Sequence, residues 1–169
     1  MLVYCLMLIS PYVIAKNISA SLSLLSMKAI KTSEKVGDEL YFDISVFPSY
    51  KLPSHERIPN KPIHWPSRGS HHLKNLGLWK GVLKPQQAVT LIISLMEMDA
   101  PPWDTDDLIG SVRIRLKNNN GTLETSWSIP NRVDAPVAVL GQGGQKEKFN
   151  LLGENSNYEL MLKLTHTEE

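Results

Sequence analysis

The sequence has little that could carry covalent chemistry or cross-links. Its 169 residues contain one cysteine, Cys5, so no internal disulfide can form. Cysteine content therefore does not indicate whether the protein resides in an oxidising or a reducing compartment. A net charge of +1 gives no general reason to expect a nucleic-acid partner. The G-x-S-x-G, H-E-x-x-H and P-loop motifs are all absent. These absences favour a non-enzymatic protein.

No apolar run is long enough to cross a membrane as a helix. The run "MLVYCLMLISPYVIA" at residues 1–15 is shorter than the roughly 20 residues that a spanning helix needs. It suits the apolar region of a secretory signal, which predicts a secreted or periplasmic protein. Alternatively, translation starts at Met27, residues 1–26 are a mis-assigned extension, and the protein is cytoplasmic. Either interpretation predicts an apolar leader at 1–26 and a single folded domain at 27–169.

Helical periodicity is also lacking, whereas strand periodicity is frequent. In "SVRIRLK", at 111–117, apolar and basic side chains alternate, which is typical of a strand with one face buried. Similar alternation occurs at 40–46, 89–95, 123–129 and 158–164. Side chains expected in the core include Leu91, Ile93, Val112, Ile114, Leu116 and Leu162. The pattern predicts an all-β fold, an antiparallel two-sheet β-sandwich.

Turn and loop residues separate these strands. "NNNG" at 118–121 predicts a tight turn, because Asn and Gly tolerate positive φ. Residues 48–75 contain five prolines, and residues 130–149 include "GQGGQ". We expect both segments to be long loops, the first with at most one short edge strand.

One stretch is rich in acid and lacks any balancing base. "EMDAPPWDTDD", at 97–107, carries five carboxylates, and no Lys or Arg occurs between Lys84 and Arg113. The acidic residues are Glu97, Asp99, Asp104, Asp106 and Asp107. Calcium prefers six to eight oxygen ligands of this kind. The alternatives are a solvated turn and, less favoured by the sequence, a contact surface for a basic partner.

The order of residues around this stretch resembles the C2 domain family. A strand ending in acid-x-Asp, a short loop and then "DDLIGSVRIRL" is similar to the third calcium-binding loop of that family. "VGDELYFDISVF" is similar to the strand that follows the first calcium loop. The resemblance covers residues 36–164 and is specific around 91–116. It implies a C2-like sandwich that binds calcium and, through calcium, anionic phospholipid membrane.

The resemblance implies particular metal ligands. Glu97 and Asp99 match the paired acids at the strand end, and Asp107 matches the acid before the Ile-Gly step. Either Asp38 or Glu39 matches the first-loop acid. Asp104 and Asp106 lie within the same loop and complete the candidate metal set. The loop is longer than is usual for the family and carries two prolines.

Four further residues are candidates for membrane contact. Trp103 would lie at the tip of the acidic loop, where tryptophan suits the interface between lipid and water, unless it packs on the sandwich end. Arg113, Arg115 and Lys117 form a basic row that could meet anionic headgroups. Such a row is also typical of a solvated strand face that discourages edge pairing.

Two functional hypotheses remain open from the sequence. The first is a C2-like module that uses calcium to associate with anionic membrane or a protein partner. The second is a metal-free β-sandwich that recognises a protein partner and carries a solvated acidic loop. Whether the acidic loop needs a cation distinguishes them.

Overall fold

The structure is a computed structural model that describes residues 16–66, 70–71, 75–99, 105–129, 138–139 and 144–168. Strands are the only regular elements in these ranges, and no helix there is long and apolar enough to span a membrane. The strands are β1 (Ile18–Lys31), β2 (Gly37–Pro48), β3 (Ser54–Pro66), β4 (Ser70–His71), β5 (Leu76–Leu83), β6 (Ala88–Glu97), β7 (Asp107–Asn119), β8 (Thr122–Ser128), β9 (Ala138–Val139), β10 (Gln145–Leu152) and β11 (Asn157–Glu168).

The strands form two antiparallel sheets. In the first sheet the order is β10-β11-β1, and both β4 and β5 pair with the other side of β1. In the second sheet the order is β3-β2-β6-β7-β8-β9. The predicted all-β, antiparallel two-sheet sandwich is therefore confirmed.

The core lies between the sheets and follows the period-two pattern of the sequence. On β6 the buried residues alternate with half-buried ones, and Leu91 on that strand pairs with Ile114 on β7. All six expected core side chains are buried: Leu91, Ile93, Val112, Ile114, Leu116 and Leu162. Each such side chain contributes about 1.5–3 kcal/mol on burial, so the alternation supplies most of the driving force for the sandwich.

The expected domain boundary near Met27 is wrong. β1 begins at Ile18, and its first half lies between β11 and β5 in the first sheet. Ile18, Ala20, Leu22 and Leu24 are all buried, because they alternate with serines that point outward. Residues 16–26 therefore belong to the folded domain, whereas residues 1–15 lie outside the described part of the chain.

The segments 48–75 and 130–149 contain more strand than expected. Ser54–Pro66 is a 13-residue strand at the edge of the second sheet. Its prolines fit this position, since an edge strand needs no hydrogen-bond donor on its outer side. In the second segment β10 begins at Gln145 and β9 covers two residues. Residues 130–137 and 140–143 lie outside the described ranges.

The "NNNG" turn is confirmed, and it also contains a buried polar residue that the sequence did not single out. Asn120 and Gly121 have φ angles of 52° and 95° and form the two-residue connection between β7 and β8. Asn118 is fully buried, and its Nδ2 donates to the carbonyls of Lys16 and Leu83, both at 2.8 Å. Its Oδ1 accepts from the Gly121 N–H at 2.7 Å. Asn118 thus joins the two sheets at one end.

We expect Asn118→Ala to lower the free energy of unfolding by about 2–4 kcal/mol. The change removes three hydrogen bonds and leaves a buried carbonyl without its donor. Urea denaturation measures the effect. The control is Asn119→Ala, an exposed neighbour for which we expect a loss within about 0.5 kcal/mol. Equal losses in the two variants would contradict the joining role of Asn118.

Candidate functional site

Strand ends bring three acidic side chains to one end of the sandwich, here called the acidic end. Glu97, the last residue of β6, lies directly opposite Asp107, the first residue of β7. Leu40 of β2 also pairs with Glu97, so Asp38, two residues earlier on β2, lies beside it. The register of three neighbouring strands therefore places Asp38, Glu97 and Asp107 together.

Asp38 is a structural carboxylate. It is fully buried, and it accepts hydrogen bonds from the backbone N–H groups of Ser33 at 3.2 Å and Glu34 at 3.0 Å. The Tyr158 hydroxyl donates a third hydrogen bond at 2.6 Å. Burial, together with the Asp38 carboxylate, raises the pKa of Tyr158. Asp38 thus fixes the loop between β1 and β2 against β11.

At the acidic end, Glu97 is a buried carboxyl group with a raised pKa. Its side chain is buried, with 4% of the residue exposed. Burial and the neighbouring Asp38 carboxylate raise the pKa of Glu97 from 4.5 to about 7. The side chain of Ser33 partly opposes this rise, and Asp99 adds to it. Glu97 therefore holds a proton over much of the range below neutral pH.

A small pocket opens beside Glu97 and is lined almost entirely by oxygen-bearing residues. Its volume is about 110 Å³, enough for an ion with a few oxygen ligands. The lining residues are Ser33, Glu97, Asp107, Leu108, Ile109, Gly153, Glu154, Asn155 and Ser156. Carboxylate, amide, hydroxyl and carbonyl oxygens are the donors that a hard cation prefers. This acidic pocket therefore offers oxygen donors at the acidic end.

Two other predicted ligands are engaged elsewhere. The Glu39 carboxylate contacts the His64 ring at 2.8 Å, on the opposite face of β2 from Asp38. Asp106 accepts from the Tyr41 hydroxyl at 2.6 Å and lies 3.5 Å from Arg57. The Arg57 guanidinium also lies over the Tyr41 ring, 3.9 Å from its centroid. Burial and the Asp106 carboxylate raise the pKa of Tyr41 to about 12.

The predicted metal set is therefore only partly brought together. Glu97 and Asp107 line the acidic pocket, and Asp99 is close enough to influence the Glu97 pKa. Asp104 lies outside the described residues. Among the residues that the structure does describe, no three His, Cys, Asp or Glu side chains converge as a metal-ligand group. Asn155 and Glu154, which the sequence did not indicate, join the pocket from the β10–β11 loop.

The candidate membrane residues lie on the second sheet or outside the described part of the chain. Arg113, Arg115 and Lys117 alternate with the buried residues of β7 and face outward. Arg113 donates to the Ser128 hydroxyl on β8 at 3.0 Å, and Arg115 is exposed. Trp103 lies outside the described ranges. The basic row is thus a solvent-facing strand surface, and none of its three residues lines the acidic pocket.

Tyr158 is another site residue that the sequence did not indicate. It lies in the alternating segment 158–164, on the same face as Leu160, and it is fully buried. Its hydroxyl nevertheless reaches Asp38 across 120 residues of sequence. A buried tyrosine usually finds a polar partner, but the sequence gives no indication of which one.

No protein-family model and no curated protein matches the chain. Among solved structures, human GIVD cytosolic phospholipase A2 in complex with methyl gamma-linolenyl fluorophosphonate matches over 90% of this chain and 33% of its own. The identity is 9% and the TM-score 0.39. This chain thus spans about a third of the length of the phospholipase.

Two further solved structures match over a similar share of the chain. A structure of a C2 domain matches over 90% of this chain and 98% of its own, at 11% identity and a TM-score of 0.34. The structure of Drosophila C2-DSL-EGF1 matches over 89% and 67%, at 12% identity and a TM-score of 0.31. Structures that contain C2 domains are thus among the matches, and TM-scores of 0.34 and 0.31 show neither a family nor a function for this chain.

Proposed function

We propose that the protein is a non-catalytic C2-like binding module whose acidic end binds calcium and thereby associates with anionic membrane or a protein partner. The observation that carries the proposal is the acidic pocket, which the cross-strand neighbours Glu97 and Asp107 line together with other oxygen donors. Burial and the neighbouring Asp38 carboxylate raise the pKa of Glu97, and Asp99 adds to the repulsion. A divalent cation would offset that repulsion.

The residues that would hold calcium are a subset of those predicted from the sequence. Glu97 and Asp107 would supply carboxylates, and Glu154 and Asn155 would supply further oxygens from the β10–β11 loop. Asp38 would support the site indirectly, because both of its oxygens already accept hydrogen bonds. When bound, the cation would offset part of the negative charge at this end, and a phosphate oxygen of a headgroup would be a further ligand for it.

We expect calcium to raise the melting temperature of the protein. A ligand that binds only the folded state stabilises it by about 2.7 kcal/mol at a hundredfold excess over Kd, which corresponds to about 5–10 °C here. Asp107→Asn should abolish the rise, since it removes a carboxylate from the acidic pocket. Thermal melting with and without millimolar calcium measures this.

The matched control is Asp106→Asn, which removes the same charge one residue away. Its carboxylate is engaged by Tyr41, so the calcium response should persist even if the starting stability falls. Sedimentation with phosphatidylcholine vesicles, with and without phosphatidylserine, then tests lipid association. Trp103→Ala should weaken that association and leave the calcium response unchanged.

The second candidate function is a module that recognises a protein partner without a metal. The observation that favours it is the saturation of Asp38, whose carboxylate serves the protein's own loop and Tyr158. A melting temperature indifferent to calcium in the unmutated protein would favour this function over the first.

A further inference from the structure

The loop between β2 and β3, residues 49–53 and here called the far-end loop, presents apolar side chains to solvent. β2 runs away from Asp38, so this loop lies at the end of the sandwich opposite the acidic pocket. Leu52 is 85% exposed, more than any other large apolar side chain in the described part of the chain. Tyr50 and, just before the loop, Phe47 are 43% and 44% exposed. Exposed apolar side chains grouped in this way indicate contact with a membrane or with another protein.

The turn between β5 and β6 holds the far-end loop in place. The Ser49 N–H donates to the Ala88 carbonyl at 2.9 Å, and the Ala88 N–H donates to the Ser49 hydroxyl at 3.0 Å. The Tyr50 hydroxyl donates to the Val82 carbonyl at 3.5 Å. These three hydrogen bonds join the loop to the neighbouring strands, so its apolar side chains are presented in a defined position.

Two lysines accompany these apolar side chains. Lys51 lies in the far-end loop, with its ammonium group 5.9 Å from the centroid of the Tyr50 ring, and Lys84 begins the neighbouring turn. Both lysines are exposed, and neither forms an ion pair with a described residue. From residue 44 to residue 96 the sequence contains one acidic residue, Glu56. The segments that form this surface are therefore basic.

The acidic side chains nearest to this end have other partners or positions. Glu168 forms an ion pair with Lys16 at 2.8 Å, and Glu124 accepts a hydrogen bond from the Asn119 Nδ2 at 2.8 Å. Glu56 lies within β3 rather than in the far-end loop. The positive charge of the two lysines is thus not balanced within the loop or the neighbouring turn.

The main chain of the far-end loop suits an apolar medium. A lipid layer has no water to bind a free N–H group, so each such group that enters it costs free energy. Pro48 and Pro53, at the two ends of the loop, have no N–H. The Ser49 N–H already has a partner in the Ala88 carbonyl. Few main-chain donors would therefore lose water if Leu52 entered a lipid layer.

This combination of side chains selects a membrane over a protein partner. Lysine is depleted in protein–protein interfaces, whereas each lysine near an anionic membrane surface strengthens binding. Leucine favours the acyl region of a bilayer, and tyrosine is enriched at the boundary between lipid and water. Lysine side chains are long enough to reach from that boundary to the headgroups. A lipid surface with anionic headgroups thus suits Leu52, Tyr50 and Lys51 together.

We propose that the far-end loop is a membrane-binding site that inserts Leu52 into a lipid layer with anionic headgroups. Tyr50 lies at the level of the headgroups, and Lys51 and Lys84 contact their phosphate and carboxylate oxygens. The site needs no cation. It lies at the other end of the sandwich from the acidic pocket and is independent of the calcium-dependent association proposed above.

Sedimentation of the full chain with vesicles in excess chelator tests this site without calcium. We expect binding to phosphatidylcholine vesicles that contain phosphatidylserine, and weaker binding as salt is added, because salt screens the lysines. Leu52→Ser should weaken binding about tenfold, since it removes the inserted side chain. Replacing both Lys51 and Lys84 by Gln should also weaken it by about tenfold or more.

The matched control for the leucine is Leu152→Ser. Leu152 is 61% exposed and ends β10 at the acidic end, so its variant should bind within about twofold of the unmutated protein. The control for the lysines is Lys31→Gln, which removes a positive charge at the acidic end. Melting curves would show that every variant remains folded. Hydrogen–deuterium exchange should show that amides of the far-end loop become protected when vesicles are added.

The proposal is overturned if the chelated protein does not sediment with the vesicles, if Leu52→Ser and Leu152→Ser bind equally, or if protection appears only outside the far-end loop. It is also overturned if the free protein is a dimer that Leu52→Ser converts to a monomer. The loop would then bind a second copy of the chain instead of lipid.

Discussion

A chain that starts at Met27 is expected not to fold. Such a chain lacks the first half of β1, which lies between β11 and β5 in the first sheet. It loses the buried side chains of Ile18, Leu22 and Leu24, worth about 1.5–3 kcal/mol each. It also leaves the main chain of two neighbouring strands unpaired. These losses together are comparable with the roughly 5–15 kcal/mol that stabilises a typical domain.

Circular dichroism and urea denaturation of two truncated chains measure this effect. The chain starting at Met27 should lack a cooperative transition, whereas a chain starting at Lys16, which keeps all of β1, should unfold cooperatively. A cooperative transition of similar midpoint in both chains would show that the first half of β1 is dispensable. The result also bears on the translation start, because a start at Met27 would then yield an unfolded product.

Glu97→Gln is expected to make the protein more stable at pH 8 and to have little effect near pH 4.5. The folded-state pKa of Glu97 is raised to about 7, above its usual 4.5, so the folded state holds the proton more tightly than the unfolded chain. The stability associated with this proton is fully present below about pH 4.5 and is lost as pH rises through about 7. Glutamine stays neutral at every pH. At pH 8 the free energy of unfolding of the variant should therefore exceed that of the unmutated protein by on the order of 2 kcal/mol.

Urea denaturation at several pH values between 4.5 and 8 measures the difference between variant and unmutated protein. Taking the difference removes every contribution to the pH dependence that the two proteins share. Glu154→Gln is the control, because Glu154 lines the same pocket but is exposed. Because the Glu154 side chain is exposed, Glu154→Gln should change the free energy of unfolding by no more than about 0.5 kcal/mol at each pH. A flat difference for Glu97→Gln as well would mean that Glu97 is solvated.

The sequence correctly predicted the strands whose period-two alternation contains no proline and does not adjoin another apolar run. β7 is the clearest, because Val112, Ile114 and Leu116 alternate with basic residues. β1 shows the same alternation of apolar residues with serine. The apolar run at residues 1–15 adjoins β1, and the prediction of a leader over residues 1–26 therefore included the first half of the strand. β3 was hidden by its prolines, which exclude a central strand but not an edge strand.

The candidate site could be predicted only to the level of its location. Sequence places several acids at one end, but strand register and side-chain direction decide which of them meet. Asp38 and Glu39 illustrate this, because neighbouring residues on a strand face opposite ways: the first is buried beside Glu97, and the second turns to His64. The contribution of Glu154 and Asn155 depends on a contact between distant segments. No local pattern in the sequence encodes it.

Lys16 and Glu168, near the two ends of the described chain, form an ion pair at 2.8 Å. Their position determines how the protein would be oriented when it is fused to a tag or fixed to a surface. Because β1 pairs with β11, these two residues lie side by side at the end of the sandwich opposite Asp38 and Glu97. A fusion partner, an affinity tag or a sensor-chip linker joined beside Lys16 or Glu168 would therefore lie at the end of the sandwich opposite the acidic pocket. The acidic pocket would point away from the support, ready for vesicles or ions in the flowing solution.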